Sequence, residues 1–290
     1  MSSTLTGNRA TGGRSGDGGD TPAGSSAVQA GGAGDGGAGD GGAVSSLGPG
    51  VTIENSTVTQ NTSVYGERGD PGDRANGDPG DDGIASAPLL LHGAQLESST
   101  ISANIAVFPT SSTGWNLLGE AIARNTIVAG GTCQGSFTSQ GHNLDSGSSC
   151  GFTSPGDHSN TDPMLGALSF NGGVTRTIAI DPLSPAIDQG TSAGLTSPPT
   201  DQRGTSRPQD YDQTPDPAGD ESDIGAFELE TPPPQPPAPP PGSPGAPGTT
   251  SPAPSEGTAG VTGRKCKKRK HKRRGRSAAV ARKKKCKKRR

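Results

Sequence analysis

The chain carries the hexapeptide STVTQN at residues 56–61 and repeats its pattern, without gaps, at three other places. The related segments are STLTGN at 3–8, STISAN at 99–104 and NTIVAG at 125–130. Each segment predicts one short strand that ends in a turn. A strand with a single apolar residue is not stable alone, whereas stacking the repeats in parallel would bury that residue. We therefore predict an all-β parallel solenoid in which Val58, Ile101 and Ile127 point inward in one column.

Asparagine ends three of the four repeats, at Asn8, Asn61 and Asn104. We expect it at the turns because it tolerates left-handed backbone geometry and because stacked Asn side chains can hydrogen-bond to the next coil. The spacings between these residues are irregular, so either unrecognised coils intervene or loops are inserted at one corner. Segments 11–50 and 65–86 consist almost wholly of Gly, Asp, Ser and Ala, which favours inserted loops.

One of these loops has some similarity to calcium-binding repeats. The segment GGAGDGG at 36–42 resembles a nonapeptide calcium repeat, but it lacks the regularly placed apolar residue. We expect no cofactor, and calcium in this loop is left open as the alternative.

Four cysteines stand at 133, 150, 266 and 286, and their spacing matches no zinc pattern. We predict a disulfide between Cys133 and Cys150. Closing a loop of that size would stabilise the fold by about 3 kcal/mol and would imply an oxidising compartment outside the cytoplasm. Two reduced, buried cysteines are the alternative.

The formal net charge of −2 conceals an acidic body and a very basic tail, because 264–290 hold 18 of the 26 Lys and Arg residues and no acid. The tail contains the unit Lys-Cys-Lys-Lys twice, as Lys265, Cys266, Lys267 and Lys268 and as Lys285, Cys286, Lys287 and Lys288. We expect it to be disordered and to anchor the protein to an anionic envelope polymer or to lipid headgroups. Nucleic-acid binding through the tail is an alternative, and it would be unspecific because no aromatic residue interleaves the charges. A solvated tail without a partner is another alternative.

The segment from about 120 to 229 resembles one known family. The matching stretches are NTIVAG at 125–130, SQGHNL at 139–144, DPMLGAL at 162–168, NGGVTRT at 171–177, SPAIDQG at 184–190, TDQRG at 200–204 and DIGAFE at 223–228. In this order they are similar to the terminal coils of choice-of-anchor Q domain proteins. The resemblance implies a right-handed, pectin-lyase-like parallel β-helix in an exported bacterial surface protein, and it implies no established activity.

Without the family, the same segment can be interpreted as a cap on the open end of the solenoid. Val174, Ile178 and Ile180 predict a final strand. Four charged residues, Asp201, Arg203, Arg207 and Asp223, are expected to form a paired network that holds this irregular chain. We divide the chain into irregular coils with Gly-rich loops (1–119), terminal coils and cap (120–230), a Pro-rich linker (231–263) and the basic tail (264–290).

Catalysis is the main alternative function, because many parallel β-helices cleave acidic polysaccharides. A lyase needs a cationic base near several acids, and the only arginines near clear strands are Arg124 and Arg176. Asp181 and Asp188 could be a glycosidase pair, although both stand in turn contexts where aspartate usually caps its own backbone. We therefore expect a non-enzymatic, structural or adhesive surface protein, with carbohydrate left open as a further partner.

No secretory signal and no transmembrane stretch is visible in the sequence. Since residues 3–8 already match the middle of a repeat, we expect an exported protein whose chain is truncated at its N-terminus.

Overall fold

The computed structural model describes residues 2–17, 35, 37–46, 48–70, 87–108, 112–113, 115–195, 199–211 and 219–230. Within these residues the fold is all-β, without helices. The strands are β1 (Thr4–Thr6), β2 (Arg9–Thr11), β3 (Val44–Ser45), β4 (Thr52–Glu54), β5 (Thr57–Thr59), β6 (Thr62–Val64), β7 (Leu89–Glu97), β8 (Thr100–Ser102), β9 (Ile105–Val107), β10 (Ser112–Thr113), β11 (Trp115–Arg124), β12 (Ile127–Ala129), β13 (Thr132–Ser139), β14 (Leu144–Asp145), β15 (His158–Ser159), β16 (Leu165–Ser169) and β17 (Thr177–Ile180).

These strands form three largely parallel sheets and one hairpin. The first sheet has the order β1-β5-β8-β12-β14-β15, and all its pairs are parallel. The second has the order β10-β9-β6-β2, in which only β10 runs antiparallel. The third has the order β13-β11-β7-β3, and β4 also pairs with β7. The separate hairpin consists of the antiparallel strands β16 and β17.

The chain enters the three sheets in a repeating order. Strands β4, β5 and β6 belong to the third, first and second sheet, and β7, β8 and β9 follow the same cycle. The long insertions lie where the chain leaves the second sheet and returns to the third, between β2 and β3 and between β6 and β7. Insertion at a single corner, as the composition predicts, therefore explains the irregular repeat spacing.

The insertions are not entirely loops. Within 11–50, strand β3 pairs with β7. Glycines of the same insertion lie directly against strand backbone: a Cβ atom on Gly39 would be 1.8 Å from the Val64 carbonyl oxygen, and one on Gly42 would be 2.3 Å from that of Thr62. Only glycine allows this approach. The described glycines of the GGAGDGG segment thus serve close backbone packing.

The predicted apolar column is correct at two positions and wrong at the third. Val58 pairs with Ile101, but Ile101 pairs with Val128 and not with Ile127. Val128 joins Val58 and Ile101 in the first core cluster, together with leucines of the third sheet. Because side chains alternate along a strand, Ile127 lies on the opposite face, where it belongs to a second cluster.

The left-handed turn explains this shift of one residue. The residues with positive φ after the strands are Gly7, Gln60, Ala103 and Gly130, so these four are structurally equivalent. The prediction that Asn8, Asn61 and Asn104 adopt the left-handed backbone geometry is therefore wrong, because the residue with positive φ immediately precedes each of them. Gly130 stands where the other repeats have the left-handed residue, and the gapless alignment placed it against Asn instead.

The asparagines instead form a hydrogen-bonded ladder, as the stacking of repeats predicts. Asn61 Oδ1 accepts from the backbone and side-chain nitrogens of Asn8, and Asn104 Oδ1 accepts from those of Asn61. The next acceptor is Asn116, which belongs to no repeat. Asn61, Asn104 and Asn116 are fully buried, so the ladder satisfies backbone groups at a turn that water does not reach.

The C-terminal segment, residues 161–230, covers a face and not an edge. Its apolar residues Ile180, Ile224 and Phe227 pack with Ile127 in the second cluster, on the outer face of the first sheet. The prediction that this segment caps the open end of the solenoid is therefore wrong. The segment instead buries the apolar side chains, among them Ile127, on one face of the first sheet. Val174 is also not part of the final strand, since β17 begins at Thr177 and Val174 is 95% exposed.

Candidate functional site

Most of the buried charged residues in the described part of the chain lie within the C-terminal segment. Arg207 Nη1 donates to Glu228 Oε2 at 2.8 Å and to the Asp223 carbonyl oxygen at 2.6 Å, and Nη2 donates to the Gly225 carbonyl oxygen at 2.6 Å. The Asp223 carboxylate accepts from the backbone amides of Asp188 and Leu229. Arg207 therefore ties together a stretch that has no regular secondary structure.

A second arginine continues the same network. Arg203 Nε donates to Asp201 Oδ2 at 2.7 Å, and its guanidinium lies 3.8 Å from the centre of the Phe227 ring. Asp201 Oδ2 also accepts from the backbone amide of Glu228. The predicted pairing of Asp201 with Arg203 is present. Arg207 bonds to the backbone carbonyl oxygen of Asp223, but its ion-pair partner is Glu228 and not the Asp223 carboxylate.

Two members of the network have strongly altered proton affinities. Burial raises the pKa of Glu228 to about 8, although the Arg207 charge acts in the opposite direction. Burial likewise raises the pKa of Asp223 to about 7, against the hydrogen bonds from the Leu229 and Asp188 amides. Two buried carboxyl groups share the one Arg207 charge, so the pair can hold a proton near neutral pH.

Sequence reasoning missed two residues that matter here. Glu228 stands in the sequence at the end of DIGAFE and is not among the predicted network residues, yet it is the partner of Arg207. Gln202 connects the C-terminal segment to the first sheet, because its Oε1 accepts from Thr57 Oγ1 at 2.6 Å and its Nε2 donates to Thr4 Oγ1 at 3.0 Å. For Glu228, the sequence signal was the excess of acids over arginines in 201–228. No sequence signal indicated the role of Gln202.

The structure contains the predicted disulfide between Cys133 and Cys150, whose Cα atoms are 4.9 Å apart. Both cysteines are buried and belong to the first core cluster with Phe152. Because β13 is the last strand of the third sheet, this group closes that end of the core. The end cover that was expected from the C-terminal segment is thus supplied by the disulfide-bonded turn.

Three acids of the C-terminal segment could together hold a cation. Carboxylate oxygens of Asp188, Asp210 and Glu221 all lie within 4.8 Å of one another. Carboxylates at such spacing suit a hard cation such as calcium. The group includes no residue of the Gly-rich segment at 36–42, whose Asp40 is exposed.

The residues considered for catalysis have structural bonds. Asp181 Oδ1 accepts from the Leu183 amide, and Asp188, which is 1% exposed, accepts from the Tyr211 amide. Arg124 donates to the Gly194 carbonyl oxygen. Asp181 and Asp188 thus stand in turns, where their carboxylates bond to nearby or opposite backbone.

One cleft of about 610 Å³ lies between the first sheet and the hairpin of β16 and β17. Its wall includes Thr59, Ser102 and Leu168, and its ionisable side chains are Asp162 and Arg176. The lining therefore provides one carboxyl group, where a glycosidase needs two.

The basic tail and its cysteines, Cys266 and Cys286, lie outside the described residues, as does the linker. A search of the described part of the chain for a helix that could cross a membrane found none. Comparison with known proteins found no matching family model, no similar curated protein and no similar solved structure.

Proposed function

We propose that this chain is an exported, non-enzymatic protein of the cell surface or envelope, with a structural or adhesive role. Its body would be a right-handed parallel β-helix of the type implied by the resemblance of 120–229 to choice-of-anchor Q domain proteins. The basic tail would be an electrostatic anchor to anionic envelope polymers or lipid headgroups.

The observation that carries the proposal is that the buried ionisable groups of the C-terminal segment bond to one another and to backbone. Arg207, Glu228 and Asp223 bond to each other and to the backbone of the C-terminal segment. Such a network holds the C-terminal segment on the sheet and uses these charged groups for structure. This structural use of the buried charges supports a rigid body with a structural or adhesive role.

Two further observations support the architecture and the compartment. Three parallel sheets entered in a repeating order are compatible with one β-helical coil per cycle. A buried disulfide is typical of proteins that fold in an oxidising compartment.

The tail supports the anchoring role through its charge. With 18 cationic side chains and no acid in 264–290, binding to a polyanion would release many counterions and weaken steeply as salt rises. The Pro-rich linker would separate the body from this attachment.

The experiment is to wash cell envelopes with buffer of rising salt concentration, with and without a thiol reductant, and to compare the full chain with a deletion of 264–290. The full chain should be retained at low salt and released at molar salt, while the deletion should appear in the medium as a folded protein. A full chain that is retained only until the reductant is added would indicate anchoring through Cys266 and Cys286. Equal retention of both forms under every condition would contradict the anchor.

The alternative is a β-helix enzyme that cleaves acidic polysaccharide, for which the cleft with Asp162 and Arg176 is the specific observation. Release of unsaturated or reducing sugars from a panel of polyuronates, lost in an Asp162→Asn variant, would favour it. A second alternative, nucleic-acid binding by the tail, predicts equal affinity for unrelated sequences and no effect on envelope retention.

A further inference from the structure

The cleft beside the hairpin is bordered on one side by the edge of a strand. Four consecutive residues of β16, residues 165–168, line it. Because the side chains of a strand alternate between its two faces, a run of consecutive residues means that the edge of β16 borders the cleft, and not one face. Among the described residues β16 pairs only with β17, so this edge is open to a further strand.

Backbone groups of Leu165 are directed towards the open edge. Leu165 is opposite Ile180 in the hairpin. The next bond of the ladder runs from the Asp181 amide to the Met164 carbonyl oxygen, at 3.1 Å. Hydrogen-bonded and non-hydrogen-bonded positions alternate in an antiparallel pair, so this bond makes the Leu165 position a non-hydrogen-bonded one. The amide and carbonyl groups of Leu165 therefore point away from β17, where an added strand could bond to them.

The floor of the cleft is formed by small side chains of the first sheet. Thr59, Ser102 and Ala129 end three successive strands in register, and Ser146 follows the next strand. Four strands at a spacing of about 4.8 Å span about 14 Å, and four residues of β16 extend over about the same length. The edge of β16 thus runs across the coils, beside a floor of small side chains.

The volume of the cleft matches one added strand. Over a length of about 14 Å, the 610 Å³ of the cleft leave a cross-section of about 44 Å². One strand needs about 48 Å², given about 4.8 Å between neighbouring strands and about 10 Å between packed sheets. The β16 strand of a second copy already lies on the first sheet of that copy, so it does not fit on this one as well. A separate extended segment is the occupant that fits.

The two ends of the cleft carry opposite charges. Asp162 precedes β16, and Arg176 stands just before β17, next to the end of β16. The Arg176 side chain is exposed and makes no ion pair with a described residue, so it is available to a carboxylate. None of the described residues that line the cleft is aromatic, so a sugar ring has no face to stack on. These features favour a peptide over a glycan.

We propose that the cleft beside β16 is a strand-addition site for an extended peptide segment of a partner protein, about five residues long, with a carboxylate at Arg176. The Leu165 amide and carbonyl groups bond to the peptide backbone. Alternate side chains of the peptide lie on the floor formed by Thr59, Ser102 and Ala129. This inference goes beyond the envelope role and does not depend on it, since the site lies in the body of the chain.

The probe is the peptide Thr-Val-Thr-Val-Asp with a free C-terminus and an uncharged fluorescent label, titrated into the full-length chain and followed by anisotropy. An uncharged label avoids binding to the basic tail. Saturable binding is expected, with new hydrogen-exchange protection at the Leu165 amide. The amidated peptide Thr-Val-Thr-Val-Asn should bind about fivefold more weakly, because it lacks the carboxylate for Arg176.

The protein variants keep the tail, so that its charge is the same in each. Arg176→Gln should weaken binding about fivefold, whereas Arg9→Gln, at an exposed arginine outside the cleft, should not. Arg176→Glu should bind the amidated peptide Thr-Val-Thr-Val-Lys better than the unchanged chain does. Ala167→Trp, at an exposed position on the edge of β16, should fill the cleft and abolish binding of every peptide.

Lack of saturable binding to the unchanged chain, equal effects of Arg176→Gln and Arg9→Gln, or protection that leaves out Leu165 would overturn the proposal. So would an oligogalacturonate that binds the unchanged chain and not Ala167→Trp, because the cleft would then be a glycan site. A self-associated chain in sedimentation that becomes monomeric with Ala167→Trp would also overturn it, because the cleft would then hold a second copy.

Discussion

Arg207 and Glu228 form an ion pair with 2.8 Å between Nη1 and Oε2, and their side chains are 1% and 0% exposed. Both are on the stretch that covers the outer face of the first sheet. Since Glu228 also accepts from the Asp223 and Gln209 amides, the pair organises backbone that has no regular hydrogen-bonding partner of its own.

Removal of either partner should destabilise the protein strongly. Arg207→Ala leaves Glu228 buried without its cation, and a loss of about 3–5 kcal/mol in the free energy of unfolding is expected. Urea unfolding measures it. The exposed Arg9→Ala variant is the control and should change the free energy by less than about 0.5 kcal/mol. Equal values for the two variants would contradict a structural role for the pair.

Stability should fall as the pH rises from about 5 to about 8. Burial raises the pKa of Glu228 to about 8 and that of Asp223 to about 7, so the folded protein holds a proton that the unfolded chain releases. For one such proton the slope is about 1.4 kcal/mol per pH unit. Urea unfolding across this range should show the slope in the unchanged chain, a flatter dependence for Glu228→Gln, and no change for the exposed Glu230→Gln.

The Asn ladder should matter most in its buried middle. Asn61→Ala removes the acceptor of the Asn8 amide and one donor to the Leu5 carbonyl oxygen, and a loss of about 2–3 kcal/mol is expected. Asn8→Ala, at the exposed end, should lose less than half as much. Thermal or urea unfolding of both variants decides the order, and a larger loss at Asn8 would contradict it.

The position of Ile127 on the face of β12 that the C-terminal segment covers can be tested through Gly225. A Cβ atom on Gly225 would lie 2.8 Å from Ile127 Cδ1, and this glycine has a φ of 106°. Gly225→Ala should therefore destabilise the protein, and less so when Ile127→Val removes Cδ1. A coupling of about 1 kcal/mol is expected in a double-mutant cycle. The Val128→Ala background should give no such relief, because Val128 faces the other core.

The disulfide should stabilise the end of the core. A pair of cysteines 17 residues apart closes a loop whose loss should reduce the free energy of unfolding by about 3 kcal/mol. Cys133→Ser with Cys150→Ser should show this loss, and reductant should affect only the unchanged chain. Mass spectrometry of non-reduced peptides checks the link itself; free thiols in protein recovered from cells would remove the argument for an oxidising compartment.

The amino-acid sequence by itself determined the repeating strands, the single corner of insertion, the disulfide partners and the Asp201–Arg203 part of the charged network in the C-terminal segment. Each of these depends on local residue types and spacings that are visible in one dimension. The pairing of Val58 with Ile101 belongs here too, because the two repeats have the same length and the same left-handed position.

Only the tertiary structure decided which face Ile127 occupies, because strand side chains alternate with a period of two and a shift of one residue reverses every side chain. It also placed Asn116 in the ladder and Glu228 against Arg207. These partners come from parts of the chain with no related pattern. These residues satisfy buried polar groups that become neighbours only after the strands have stacked, so no local sequence pattern indicates them.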